Sequence, residues 1–472
     1  MLKVTTPIFY VNAKPHLGHA YTMVLADTFA RYQKLMGKDV ILTTGCDEHG
    51  SKVQQAALKS NLAEQEYCNS MSSNFVNLAK KLNINYSHFT RTTDDSHKKR
   101  VQEMWQRMVQ AGDIYKGTFK GWYSLADEAF YRTSDIQQIN GQYFAKETNS
   151  QVHLVEEENY MFRLSKYKDA IQGYLNGLAI VPESRRNDID NWLNKLEDIS
   201  VSRPKSKVSW GIPVPGDESH TIYVWLDALL GYLEPDTTSM VHFVGKDILK
   251  FHAVIWPAFC SSLNITYPAR IFAHGHWTVK GSKMSKSIGN GVCPHELLCT
   301  YDVDAFRYCL LRMSKLGDDA DFDPLAFLNV YNTELVNQLG NLASRCTSPK
   351  LLPHFTESSS DRDVIFDESN VAKHYEKGDF HLGLDSIMNV IREGNRIFFE
   401  SQPWKSPDPK TTLRDAKSRL MFAAKWLSPV MPGKMETLKQ LIEDPRPGLL
   451  LFPRIHLQRQ SVVEDKDAKV LL

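Results

Sequence analysis

Apolar positions recur with two different periods along this chain, and the alternation between them outlines its architecture. Residues 4–10 are mostly apolar and read as a buried strand entering a loop. From 17 to 36, Leu17, Tyr21, Val24, Leu25, Phe29, Tyr32 and Leu35 fall at helical spacing, and Gly37 suits the helix end. Val40, Ile41 and Leu42 mark a second strand over 39–44, and a helix is predicted beyond it through residue 79. Strand and helix alternating in this way predict a parallel α/β sheet, whose ligands sit outside the carboxyl ends of the strands. Residues 116–229 change character. Short runs rich in aromatic and β-branched residues, at 115–123 and 152–155, are separated by turn residues such as Asn140-Gly141. They predict an insertion of antiparallel strands. The α/β pattern resumes at 221–225, 241–245 and 270–274. After residue 323 the periodicity is helical, with helices expected at 325–343, 379–402 and 413–427 and a surface loop at 347–367. There is no internal repeat.

A chain of 472 residues is too long for one core and implies two to four structural units. Its 56 basic and 55 acidic residues nearly cancel. A neutral total leaves room for a local basic face, so nucleic acid is neither favoured nor excluded. The seven cysteines are scattered, with no Cys-x-x-Cys pair. This argues against a disulfide framework and a thiolate zinc knuckle, and for a reducing compartment. No apolar run spans a bilayer; Lys246, Asp247, Lys250 and His252 interrupt the most apolar stretch, 241–260. The first residues have neither the apolar core of a secretory signal nor the Arg- and Ser-rich character of a transit peptide.

Three constellations carry chemistry. His16-Leu17-Gly18-His19 stands between the first strand and the first helix, behind Pro15. Two imidazoles three apart at a helix start lie on one face and can reach one anion, where exposed N–H groups favour phosphate. Gly18 lets a base or phosphate approach the backbone. The plain structural alternative is two surface histidines beside a chance glycine. Lys283-Met284-Ser285-Lys286-Ser287, set among Gly281, Gly289 and Gly291, is a flexible loop whose lysines can neutralise a triphosphate during phosphoryl chemistry. Its plain alternative is a solvated basic loop. The third is 223–232 with 245–252 and Trp256, rich in aromatics that can line a small apolar pocket; ring edges suit a thioether. An ordinary aromatic core is the alternative there. Asp47 and Asp247 are placed to pair an ammonium or accept ribose hydroxyls, or else to cap helices. His274 and His276, on one face of a strand, offer a weak metal signal, and His16 and His19 lack the spacing of a helical zinc pair.

With these residues in view, the chain resembles the methionyl-tRNA synthetases. His16–His19 looks like the HIGH motif of class I aminoacyl-tRNA synthetases, and Lys283–Ser287 matches their KMSKS motif. Those two identify the class. The segments 7–12, 45–50, 121–123, 223–232, 245–252 and 341–345 resemble the methionine enzymes, so the likeness spans nearly the whole chain. It implies a Rossmann-type parallel-sheet catalytic domain in two halves (1–115 and 230–275), separated by an inserted connective domain (116–229). A KMSKS and stem-contact region (276–336) and a helical anticodon-binding domain (337–472) would follow.

The resemblance also implies roles. His16 and His19 would contact ATP phosphates, with Gly18 under the adenine. Lys286 and Lys283 would hold the departing pyrophosphate, with Ser285 and Ser287 among the ATP contacts. Gly245 and Asp247 would hold the ribose, and Trp277 would lie at the adenine. Asp47 would bind the methionine ammonium. Ile8 (through its backbone), Tyr10, Trp225, Ala228, Tyr232, Ile248 and His252 would form the methionine pocket, with Phe251 and Trp256 behind it. Asn341, Arg345 and Trp404 match the positions that read the CAU anticodon, consistent with stacking and hydrogen bonding to single-stranded bases. The partners implied are ATP with Mg²⁺, L-methionine and tRNA(Met).

There are departures from the family pattern. Ser124-Leu125-Ala126-Asp127 stands where many members carry the first zinc-binding cysteine pair, so no zinc is expected. Leu17 replaces the isoleucine of HIGH, and Cys46 sits where a threonine is common. The chain lacks the C-terminal oligonucleotide-binding domain that dimerises some relatives, so a monomer is expected. The short form, with Gly-Leu-Leu-Leu-Phe-Pro-Arg at 448–454, most resembles animal mitochondrial enzymes; this implies the mitochondrial matrix, with the cytoplasm as the alternative. Three rival readings remain. A nucleotidyltransferase acting on no tRNA would not need the helical C-terminal region. Synthetases for leucine, isoleucine and valine carry larger insertions, and the cysteine enzyme needs zinc thiolates. A silent RNA-binding paralogue would be expected to lose His19, Lys286 or Asp47.

Overall fold

The computed structural model describes residues 1–126, 129–131, 133–146, 148–233, 235, 239–284, 289–357 and 366–456. It contains two compact units, the first comprising 1–26, 37–80 and 84–274, the second 27–36, 81–83 and 275–472.

The first unit is built on a parallel sheet. β1 (Leu2–Tyr10) leads into helix α1 (Leu17–Leu35), β2 (Val40–Asp47), α2 (Ser51–Lys59), α3 (Glu64–Lys81), β3 (His88–Arg91) and α4 (Asp95–Gln110). The sheet order is β3, β2, β1, Ser239–Gly245, Arg270–His274 and Ala179–Val181, all parallel. The chain therefore leaves β1 in one direction and returns on its other side, which makes the β1 edge facing Ser239–Gly245 a topological switch point. Pairing across that junction runs from Leu2 with Ser239 to Thr5 with His242. Beyond it the two strands part, and the sheet opens at its carboxyl ends.

The helix expected through residue 79 is two helices. The chain turns at Asn61, which takes a left-handed φ of 53° that no helix continues through. The insertion is antiparallel as expected over most of its length. Ile114–Ser124 pairs with Gln151–Phe162 from Ile114 opposite Phe162 to Tyr123 opposite His153. Asn140 and Gly141, both at positive φ, close the hairpin of Ile136–Ile139 with Gln142–Ala145, as an Asn-Gly turn requires. Two stretches differ from the sequence reading. Ala179–Val181 joins the parallel sheet beside Arg270–His274. Residues 221–225, read as a parallel strand, end an antiparallel one (Asp217–Ile222) and begin the helix Val224–Leu230. Six of that helix's seven residues are buried. A continuous apolar run fits a buried helix as well as a buried strand, and only packing chooses.

The second unit has a small sheet of Ser282–Lys283, Trp277–Val279 and Ala320–Asp321, followed by helices. The region expected to be helical over 325–343 is Pro324–Val330, a π-helical stretch Tyr331–Gly340, and Asn341–Cys346. Phe380–Ser401 and Lys410–Leu427 match two predicted helices closely. Part of the expected surface loop is the short helix Leu352–Glu357, and 358–365 lie outside the described residues. Ser369–Glu376 and Pro432–Glu443 are further helices too short to stand out by periodicity. At this unit's centre the Arg307 side chain is wholly buried. It donates to the carbonyls of Val430, Leu82 and Pro429 at 2.7, 3.0 and 3.1 Å and pairs with Asp27 at 2.6 Å. No helix among the described residues is long and apolar enough to cross a membrane.

Candidate active site

The open switch point gathers the first unit's chemistry-bearing residues. Tyr10 and Asp47 end β1 and β2 in register, side by side at the carboxyl edge. Gly45 lets β3 come close: a Cβ there would sit 2.3 Å from the Thr90 carbonyl oxygen. Asp47 is buried, and α2 starts beyond it at Ser51 with Gly50 at its N-cap.

The two motif histidines meet where β1 gives way to α1. Their ring centroids are 3.9 Å apart. The Gly18 N–H donates to His16 Nδ1 at 3.1 Å, and the His16 N–H donates to His19 Nδ1 at 3.0 Å. Both Nδ1 atoms are acceptors, so in each neutral ring the proton is on Nε2, the atom left to donate outward. Gly18 is needed for this fold-back as well, since a Cβ there would lie 2.9 Å from His16 Cε1. Phe9 and Phe75 pack edge-on against the His19 ring at 5.3 and 5.2 Å. Burial, then the charge of His16, push the His19 pKa well below its ordinary value, and Asp247 only partly opposes them. His19 is thus a neutral donor at physiological pH rather than a cation. The Thr22 hydroxyl donates to the Gly18 carbonyl at 3.0 Å and contacts His274 Nε2 at 2.9 Å, steadying the first turn of α1.

The residues of the aromatic constellation pack against one another. Trp225 and Phe251 stack at 3.6 Å with 7° between planes. His252, in the π-helical turn Phe251–Ile255, donates from Nδ1 to the Ile248 carbonyl at 2.9 Å. Its Nε2 must then accept, and the Tyr232 hydroxyl donates to it at 2.7 Å. Trp256 packs 6.0 Å from Tyr232. Ala228 is buried on the same helix as Trp225, and Ile248 is half-buried beside His252. Burial, then the charge of Asp47, raise the Tyr232 pKa, keeping the phenol protonated. Beneath it, buried Lys3 donates to the carbonyls of Tyr232 and Pro235 at 2.7 and 2.5 Å. Gly245 ends its strand with Asp247 folded back on it; a Cβ there would lie 2.6 Å from Asp247 Oδ1.

Burial also holds His242 well below its ordinary pKa and His252 down to about 4, the Ile248 bond and Asp247 opposing the latter. With His19 these make three histidines that stay neutral when folded. Unfolding lets each take a proton below pH 6.5, so their contribution to stability is complete above that value and is lost as pH falls. Each is expected to remove up to about 1.4 kcal/mol per pH unit between pH ~6 and pH ~4. Thermal unfolding of the whole chain across that range checks this; a midpoint independent of pH would contradict it.

The other expected residues lie in the second unit or outside the description. Trp277 is buried in the first strand of the small sheet, and Lys283 ends its partner strand. Ser285, Lys286 and Ser287 fall outside the described residues. Asn341 and Arg345 are half-buried one turn apart on Asn341–Cys346, while Trp404 packs 6.1 Å from Phe398. The shared strand face expected for His274 and His276 does not form. The strand ends at His274, and the His276 backbone N–H donates to Asp319 instead. Among the described residues no group of three His, Cys, Asp or Glu is arranged to hold a metal.

Sequence reasoning missed a buried polar layer behind the pocket: Lys3, His242, and the cluster of Asp227 with His49 and His97. Polar residues inside otherwise apolar stretches were the available signal, but their partners stand up to 237 positions away.

A family model described as "tRNA synthetases class I (M)" matches residues 2–148, 139–238 and 233–347. The chain is 39% identical over 488 residues to the mitochondrial methionine–tRNA ligase of Xenopus laevis, covering 92% of this chain and 87% of that one. It is 39% identical over 475 residues to the methionine–tRNA ligase of Brucella suis, covering 94% and 92%. The structure is similar to Mycobacterium tuberculosis methionyl-tRNA synthetase in complex with methionyl-adenylate, with TM-score 0.87 and 35% identity over 96% of this chain and 99% of that one.

Proposed function

The chain belongs to the class I tRNA synthetases, methionine type, and from that premise we propose how its site makes methionyl-tRNA from L-methionine, ATP and tRNA(Met). The observation that carries the reading is the open switch point. Within one unit it sets a carboxylate, two imidazoles whose Nδ1 atoms both accept backbone N–H groups, the His19 ring neutral, and a packed aromatic cluster around one opening. Asp47 takes the α-ammonium. Ile8, Tyr10, Trp225, Ala228, Tyr232, Ile248 and His252 enclose the thioether side chain. The carboxylate so placed attacks the α-phosphorus of ATP in line, releasing pyrophosphate. Positioning and charge neutralisation supply the acceleration, and no covalent enzyme intermediate is required. His16 and His19 donate to phosphate oxygens through Nε2, His19 without adding charge, while Gly245 and Asp247 face the ribose. ATP enters with Mg²⁺, which neutralises phosphate charge when bound.

Lys283 and Lys286, with Ser285 and Ser287, take the departing pyrophosphate, and Trp277 covers the adenine. The terminal adenosine of tRNA then attacks the aminoacyl carbonyl through its 2′-hydroxyl, the acceptor that class I implies. Asn341, Arg345 and Trp404 read the anticodon by hydrogen bonding and stacking. Ser124-Leu125-Ala126 in place of a cysteine pair supports an insertion that holds no zinc. The likeness to mitochondrial relatives supports the mitochondrial matrix, although bacterial relatives are as similar. The protein is proposed to act as a monomer.

Pyrophosphate exchange measured with each of the twenty amino acids tests the reading. Exchange is expected with methionine alone among them at low concentration, and its absence with methionine overturns the proposal. Lys286→Ala is expected to slow exchange by roughly 10³-fold, the scale of removing a charge from a phosphoryl transition state, with methionine binding nearly intact. Exchange kinetics near wild type would sink the role given to that loop.

A further inference from the structure

Behind the pocket, one buried carboxylate holds two histidines. Asp227 accepts from His49 Nδ1 at 2.7 Å with one oxygen and from His97 Nε2 at 2.6 Å with the other. All three side chains are at most 4% exposed. They come from three elements. His49 is two residues beyond Asp47 on the loop after β2, His97 is in the first turn of α4, and Asp227 lies between Trp225 and Ala228 on Val224–Leu230.

That helix has no side-chain cap at its start, so Asp227 is its polar attachment to the Asp47 loop. The loop is also held from another segment: the Trp210 indole N–H donates to the Glu48 carbonyl at 2.6 Å, and its ring lies 5.6 Å from that of His49. On the far side His97 backs onto the pocket through Gly231. A Cβ at that glycine would lie 3.7 Å from both His97 Cε1 and Ile8 Cδ1.

We infer that Asp227, gripping His49 and His97, is a positioning residue that sets the distance between the Asp47 loop and the Trp225 helix, and so the affinity for the amino acid rather than for ATP. The inference rests on the reading of this opening as a methionine site. Burial disfavours the Asp227 carboxylate, but His49 and His97 more than offset this and hold its pKa at about 2, so both oxygens accept at physiological pH. A buried carboxylate held by polar partners is weak evidence of a stability role, because apolar residues of similar volume serve as well; fixing a geometry is the better use of such a group.

Pyrophosphate exchange with methionine and ATP varied separately tests this. Asp227→Ala, His49→Ala and His97→Ala are each expected to raise KM for methionine by about 10-fold or more, the scale of a sub-ångström misplacement, and to leave KM for ATP within about twofold. His49→Asn puts an amide N–H where Nδ1 stands, and His97→Gln puts one where Nε2 stands. Both are expected to restore KM for methionine to within about threefold of wild type. If Asp227→Ala does not fold, the four histidine variants decide. Unchanged KM for methionine in the alanine variants, or both KM values rising in parallel, overturns the inference, as does failure of the amides to rescue. Wild-type protein without methionine-dependent exchange would instead remove the functional reading itself, and that is known before any variant is made.

Discussion

Asp47→Asn is expected to raise the KM for methionine in pyrophosphate exchange by about 30-fold or more and to leave the KM for ATP nearly unchanged. The substitution keeps size and shape and removes only the charge. Asp47 is 9% exposed at the end of β2, so an ammonium brought against it is largely removed from water. Truncating one partner of such a pair costs about 2–5 kcal/mol, chiefly because the other charge is left buried without a counter-charge, and the lower figure is already about 30-fold. A deaminated analogue of methionine should bind wild type weakly and gain relative to methionine in the variant. If Asp47→Asn instead raised the KM for ATP, the carboxylate would belong on the nucleotide side of the opening.

The second large effect is on stability. Arg307→Met is expected to destabilise the second unit by about 3–5 kcal/mol. Methionine fills similar space, so the loss is not a cavity. It comes from three carbonyls that lose their donor and from Asp27, 1% exposed, which loses its nearer cation. Arg31, at 2.7 Å, still pairs with Asp27, but it is partly exposed. Asp27→Leu combined with Arg307→Met should therefore recover part of the loss, since neither charge is then stranded. Calorimetric unfolding of wild type, both single variants and the double variant measures the coupling. A single-variant loss below about 1 kcal/mol would show that the buried guanidinium contributes little beyond filling space.

The first strand, the first helix and the second strand were legible because each has a strong period and a clear end: Leu17–Leu35 was placed to within one residue. The helix Phe380–Ser401 was equally clear for the same reason. Periodicity failed where burial is all-round. Residues 221–225 read as a strand because nearly every position there is apolar, although the helix Val224–Leu230 begins within them, and Ala179–Val181 is too short to announce which sheet it joins. At the site, residue types and spacing singled out His16, Gly18, His19 and Asp47, and resemblance supplied their roles. Neither could give a second reason for Gly18: the folded-back His16 ring fills the space where a Cβ would go.

The sequence by itself determined the local elements and the family, because both are written in runs of neighbouring residues: apolar periods, turn residues and short motifs. Only the tertiary structure decided what those residues do to one another. The strand order that opens the sheet at β1, the tautomers of His16, His19 and His252, and the grip of Asp227 on His49 and His97 all join positions distant along the chain. Burial sets their protonation, and it is a property of the folded interior that no single segment carries.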